Sequence, residues 1–179
     1  MAPAPKYSLQ EQEGMILDAA AQCIELSSLI DFTMSAVAKA AGMSMGSIYK
    51  HVQCKEDIIF ALAIRVYHHR SHVFEKVMAL ELTTPEQLIS ITLLNPLKTQ
   101  VYAFDAHLDA FITNELVVQR TSPLWRERMI DAHQHCEALF SRCMSQAAHS
   151  GELSGDGDIE QLIEEINLGG WALTVGYQS

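Results

Sequence analysis

Thr33-Met-Ser-Ala-Val-Ala-Lys-Ala-Ala-Gly-Met-Ser-Met-Gly-Ser-Ile-Tyr-Lys-His-Val-Gln-Cys-Lys55 is the stretch that decides the fold. Thr33 supplies a side-chain oxygen to cap a short helix, along which Val37 and Ala41 recur at helical spacing. Ala38 is small enough to let a second helix cross close by. Gly42 stands where the chain must turn, and glycine takes positive φ without a Cβ clash. Ser44 offers a second cap. The helix after it is expected to bury Ile48 and to present Met45, Ser47, Lys50 and His51 outward. Two short helices joined steeply by a glycine turn bring a helix N-terminus to a DNA major groove.

On either side of this motif the pattern stays helical. Ser8 and Glu11 make a capping box for a first helix to about Leu29. A long helix is expected from about Lys55 to Leu80. Thr83-Thr-Pro85 opens another, which stops at Asn95-Pro96 because proline disfavours helix in the residue before it. Helix resumes from about Leu97 to Arg120, with a break expected near Asp105. Thr121-Ser-Pro123 starts a long helix to about Ser150. After a loop from Gly151 to Gly157, Asp158 and Gln161 cap a last one.

Composition narrows the function classes. The 179 residues are 49% hydrophobic with sparse Pro and Gly, which suits an all-α protein with a sizeable core. No stretch approaches the roughly 20 apolar residues of a membrane span. The N-terminus lacks the apolar core of a signal peptide, so residues 1–7 read as a disordered arm and a cytoplasmic location is expected. Cys23, Cys54, Cys136 and Cys143 show no metal-type spacing and read as reduced thiols.

The net charge is −10, and residues 1–53 hold three lysines against five carboxylates. Phosphate affinity therefore has to come from placement, through Lys50, Lys55, hydroxyls and helix N-termini. Low affinity per head implies dimerisation.

Residues from about Met15 to Ala63 resemble the DNA-binding domain of the TetR family of transcriptional regulators. Ile16–Ile24, Ala40-Ala-Gly-Met-Ser44, Gly46-Ser-Ile-Tyr49 and Lys55-Glu-Asp-Ile58 carry the likeness. Met45 departs from the lysine often found there, and Val52 from the usual phenylalanine. The resemblance implies a three-helix head in residues 1–54, joined by a long helix to an effector-binding and dimerisation domain in 55–179. It implies a repressor, not an enzyme, with a palindromic duplex, a small-molecule effector and a second copy as partners, and with no cofactor. The DNA contacts expected are Thr33, Ser44, Met45, Ser47, Tyr49, Lys50, His51 and Lys55. Methionine at 45 offers only apolar contact, for instance to a thymine methyl.

In the second domain, Tyr102, Phe104, His107, Phe111, Asn114, Trp125, Met129 and His133 lie on helices expected to converge. Singly each reads as ordinary core; as a group they are expected to line an apolar pocket with a few polar anchors. The helix after Pro123 is apolar beyond the stripe of about 100° that one packing partner needs. Its stripe is Trp125, Met129, Ala132, Cys136, Leu139 and Cys143, widened by Ile130, Phe140 and Met144. The family's four-helix dimer interface is expected around Ile130, Phe140, Met144, Ile163 and Ile166.

Other constellations carry less. His68 and His72 share a helix face with Glu75, but without a compelling further ligand they read as a solvated face, and no metal is expected. His133 and His135 point apart on a helix. Asp105 and Asp109 read as a solvent-facing pair. Nucleophile elbow, phosphate loop, dinucleotide fingerprint and zinc-protease motifs are all missing. The reading from a different class is a helical small-molecule- or partner-binding protein whose head has no DNA affinity.

Overall fold

The computed structural model describes residues 7–94, 99–152, 158, 161 and 163–165. Among these the regular elements are helices: α1 (Leu9–Leu26), α2 (Met34–Ala40), α3 (Met45–Ile48), α4 (Lys55–Met78), α5 (Thr84–Thr92), α6 (Asp105–Ile112), α7 (Glu115–Arg120) and α8 (Pro123–Ser150). The chain forms two compact units: residues 1–63 with 102–129, and residues 64–101 with 130–179. Both α4 and α8 are continuous helices that begin in the first unit and end in the second. The compact units are drawn differently from the expected division after residue 54: residues 55–63 and 102–129 cluster with residues 7–54.

In the first unit α1, α2 and α3 each start on a side-chain cap. Ser8 Oγ accepts from Glu11 N at 3.2 Å, and Glu11 Oε2 accepts from Ser8 N at 2.7 Å. That pair holds the exposed Glu11 carboxyl below the usual carboxylate range, the Ser8 backbone N–H being the main cause. Thr33 Oγ1 accepts from Ala36 N at 3.1 Å and Ser44 Oγ from Ser47 N at 3.1 Å. The buried face of α1 (Ile16, Leu17, Ala20, Ile24) shares its core with Phe32, Val37, Ile48, Val52, Ile58, Leu62 and Leu108.

The turn between α2 and α3 has the bonding expected of a glycine stop. Gly42 has φ +65°, Met43 N donates to Ala38 O at 2.9 Å, and Gly42 N donates to Lys39 O at 3.2 Å. These are the two reverse bonds that satisfy a helix's last carbonyls. A Cβ at Gly42 would meet nothing within 4 Å, so substitution carries only backbone strain. Gly42→Ala is expected to lose about 1 kcal/mol, read as a lowered midpoint in thermal unfolding.

The break expected near Asp105 lies at residues 100–104, after which Asp105 starts α6; a second break lies at Thr113-Asn114, where Asn114 Oδ1 caps α7 by accepting from Leu116 N (3.0 Å) and Val117 N (3.4 Å). One expectation is corrected. Asp105 is buried rather than solvent-facing, and its Oδ1 accepts from Tyr102 N at 2.9 Å. A carboxylate that satisfies a local backbone donor is worth burying, which helical spacing alone does not reveal.

The second unit is built from the distal part of α4, from α5, and from α8 beyond Met129. Thr83 donates to Glu86 Oε2 from both its backbone N (2.9 Å) and its hydroxyl (2.7 Å). Glu152 Oε2 accepts from Thr84 N at 2.7 Å, and this bond holds the Glu152 carboxyl below its ordinary range. Val66, Val77, Cys143, Met144, Ala147 and Ile163 are buried. No helix among the described residues is long and apolar enough to cross a membrane.

Candidate nucleic-acid interface

The α2–turn–α3 motif stands as the sequence reading expects, with its apolar side sealed and its other side open. Val37 and Ile48 are wholly buried, whereas Thr33, Ser44, Tyr49 and Lys50 are exposed and Met45, Ser47 and His51 are half-buried. The regular helix α3 is one turn long. Tyr49 N donating to Met45 O (3.0 Å) and Val52 N to Ile48 O (3.0 Å) extend helical bonding to Val52. Tyr49 and Lys50 therefore project from a continuous ridge. Ser44 and Ser47 also touch through their hydroxyls at 3.0 Å.

His51 is held more tightly than an outward-facing side chain would be. Its Nε2 pairs with Gln12 Oε1 of α1 at 3.3 Å, and its carbonyl accepts from Trp125 Nε1 at 3.2 Å. A ring donating to Gln12 has Nδ1 left, which donates to a phosphate only as the imidazolium. Lys55 is likewise engaged: its Nζ donates to Ile30 O at 2.6 Å and lies 4.6 Å from the centre of the Phe32 ring. One of its three N–H donors thus ties the α1–α2 loop to the start of α4.

A second layer fixes this ridge, and local sequence patterns give no sign of it. Asp57 is fully buried; its Oδ2 accepts from Gln53 N at 2.8 Å and its Oδ1 from Ser122 N at 2.7 Å. An acid in the first turn of α4 signals the first bond, but nothing in sequence announces a partner 65 residues away. Arg128 stacks 4.5 Å from the Trp125 ring and pairs with Glu13 of α1 at 3.1 Å; Arg120 pairs with Glu56 at 3.6 Å. Cys54 Sγ donates to Arg120 O at 3.4 Å, and burial pushes its thiol up to about 11.

The residues expected to line an effector pocket differ in burial. Tyr102, Phe104, His107, Phe111, Asn114, Trp125 and Met129 lie in the first unit and His133 in the second. Tyr102 and Phe104 stack with ring centres 5.1 Å apart, both buried, and Trp125 and Met129 are buried as well. Phe111 is half-buried, while His107 and Asn114 are exposed, Asn114 being spent on the α7 cap. His133 is exposed beside Tyr67, ring centres 5.7 Å apart.

The second unit has a cleft of about 330 Å³ lined by His68, Ser71, His72, Glu75 and His135. Glu75 stands 3.8 Å from His72 and 4.0 Å from His135. Ser71 is 3% exposed and its hydroxyl makes no well-formed hydrogen bond, its polar neighbour being the Cys136 thiol. Among the described residues no three His, Cys, Asp or Glu side chains are placed to hold a metal ion. Of the expected dimer residues, Ile130 is 55% exposed, Phe140 is half-buried, and Met144 and Ile163 are buried within the single chain; Ile166 lies outside the described residues. The α8 stripe stands as read at Trp125, Met129, Ala132 and Cys143, all buried.

Comparison with known proteins places this arrangement. The family model of the bacterial regulatory proteins of the tetR family matches residues 16–62. No curated protein sequence matches the chain. Among solved structures, the transcriptional regulator FadR from Bacillus subtilis, in complex with stearoyl-CoA, is 21% identical with a TM-score of 0.61, over 92% of this chain and 84% of that one. A regulatory protein in the tetR family from Rhodococcus RHA1 is 19% identical with a TM-score of 0.57, over 94% and 83%. A tetR-family transcriptional regulator from Mesorhizobium loti is 16% identical with a TM-score of 0.62, over 89% and 78%. At these identities the solved structures speak for the fold, and the matched span speaks for a tetR-type head in residues 16–62.

Proposed function

We propose that this protein is a transcriptional repressor that binds a near-palindromic DNA duplex as a homodimer and releases it when a small molecule binds. The observation that carries the reading is the exposed ridge of Ser44, Tyr49 and Lys50 on a capped helix-turn-helix whose other side is sealed into a core. Tyr49, Lys50 and His51 grip phosphates, Met45 and Ser47 meet base edges, and Thr33 flanks the groove. Lys55 serves the backbone first and lends a phosphate its remaining donors.

The effector reading rests on the fold and on the second unit's cleft, where Glu75 and three imidazoles offer polar anchors. The Bacillus subtilis regulator of like fold holds stearoyl-CoA, which supports a small-molecule ligand as a class. Coupling requires that the ligand favour one of two spacings of the heads.

One observation favours the reading without DNA. The head is acidic, and the cation that follows it, Lys55, is turned to the backbone of Ile30. The two readings separate on Lys50. Under the repressor reading Lys50→Ala weakens binding to selected and random duplex alike and lowers the salt slope by about one unit. Fluorescence anisotropy across a salt series measures this, and wild-type protein that retains no duplex at low salt favours the alternative.

A further inference from the structure

We propose that Trp125 is a positioning residue for DNA binding, acting through His51 and without touching DNA. The inference rests on the repressor reading above and adds to it a determinant far outside residues 16–62.

Three facts carry it. Trp125 is 2% exposed, which removes it from any surface that meets DNA. Its Nε1 donates to His51 O at 3.2 Å. That carbonyl lies at the end of the α3 ridge, where helix geometry leaves the last carbonyls without a partner of their own. The indole therefore supplies the bond that ends the ridge, and it does so from a different helix.

The indole itself is held from several sides. Arg128 lies 4.5 Å over its ring and is anchored to Glu13 at 3.1 Å. One residue before α8 begins, Ser122 N is bound by the buried Asp57 at 2.7 Å. Residues 120–128 thus grip α1 through Glu13, the ridge through His51, and the start of α4 through Asp57 and Glu56. Gln12 holds the His51 ring from α1 while Trp125 holds its carbonyl, so side chain and backbone are fixed by separate partners.

A displaced His51 carbonyl would rotate the peptide between His51 and Val52 and swing Tyr49, Lys50 and His51 together. Val52 is fully buried and cannot follow, so the change falls on the exposed side.

The test uses the full chain and a duplex selected by the wild-type protein from a randomised pool. Trp125→Phe keeps a large ring and removes the N–H. Its affinity for the selected duplex is expected to fall roughly threefold to tenfold, the worth of one neutral hydrogen bond. The salt slope is expected to fall as well, since Tyr49, Lys50 and His51 are the phosphate contacts that move. A merely structural Trp125 would lower the unfolding midpoint and leave the affinity of the folded protein unchanged, which overturns the proposal. A second measurement does not depend on that variant folding. In wild-type protein the Trp125 indole N–H resonance, the one of two that remains in Trp171→Phe, is expected to shift and to exchange more slowly when duplex is added. An indole N–H that ignores saturating duplex overturns the proposal. Wild-type protein that binds no duplex defeats the repressor reading itself, a different result from a variant that binds as wild type does.

Discussion

Asp57→Asn is expected to destabilise the folded chain by about 2–4 kcal/mol, nearly as much as Asp57→Ala. The side chain is fully buried and both of its oxygens accept backbone N–H groups, from Gln53 at 2.8 Å and from Ser122 at 2.7 Å. Asparagine has one acceptor. Whichever way its amide turns, an NH₂ group faces a backbone donor, and a buried N–H is left unsatisfied. Alanine leaves both donors unsatisfied but avoids the clash of two donors, so the two variants end close together. Chemical denaturation read through the midpoint measures this. A near-isosteric asparagine that costs less than about 0.5 kcal/mol, the range of an ordinary surface change, would show that the carboxylate is not what joins α4 to the corner before α8.

The second large effect concerns assembly. Ile130→Asp is expected to leave the single chain nearly as stable as before, because Ile130 is 55% exposed and an aspartate there stays hydrated. In a homodimer that uses this face, the same aspartate would be an unpaired charge against the partner, with a cost of about 3–5 kcal/mol. Sedimentation should then shift toward monomer, and affinity for a two-site duplex should fall by about two orders of magnitude or more. Phe140, on the same helix, is half-buried, whereas Met144 and Ile163 are already covered within one chain. A variant that remains dimeric moves the interface elsewhere.

The parts of the structure that were legible in the sequence are those whose causes are local. Ser8 with Glu11, Thr33, Gly42 and Ser44 act on backbone groups within five residues of themselves, and each does in the structure what its type and spacing predict. Residues 15–63 are also where a family pattern is densest, and the matched span of 16–62 falls inside them. Local signals failed at Asp105. An i, i+4 pair of acids looks solvated from spacing, yet Tyr102 N gives one of them a reason to be buried.

The pocket expectation shows the limit from another side. Aromatic residues on neighbouring helices look alike whether they line a cavity or fill a core. Trp125 illustrates this: its spacing with Met129 and Ala132 marks a buried stripe, but only the fold reveals that its N–H ends on His51. Lys55 is similar. A cation at a helix start reads as a phosphate ligand, while the Ile30 carbonyl that takes one of its protons lies 25 residues back. Contacts made across long sequence separations leave no periodicity to read.

The central claim is that two copies of this head read a symmetric duplex. The most direct test is to select duplexes from a randomised pool with the full-length protein, then footprint the best sequence and measure the protein mass bound per duplex. The account predicts an inverted repeat with half-sites about one helical turn apart or a multiple of it, an even number of chains per duplex, and affinity that falls steeply with salt. Selection that yields no enriched repeat, or a single chain bound to an asymmetric site, would contradict it.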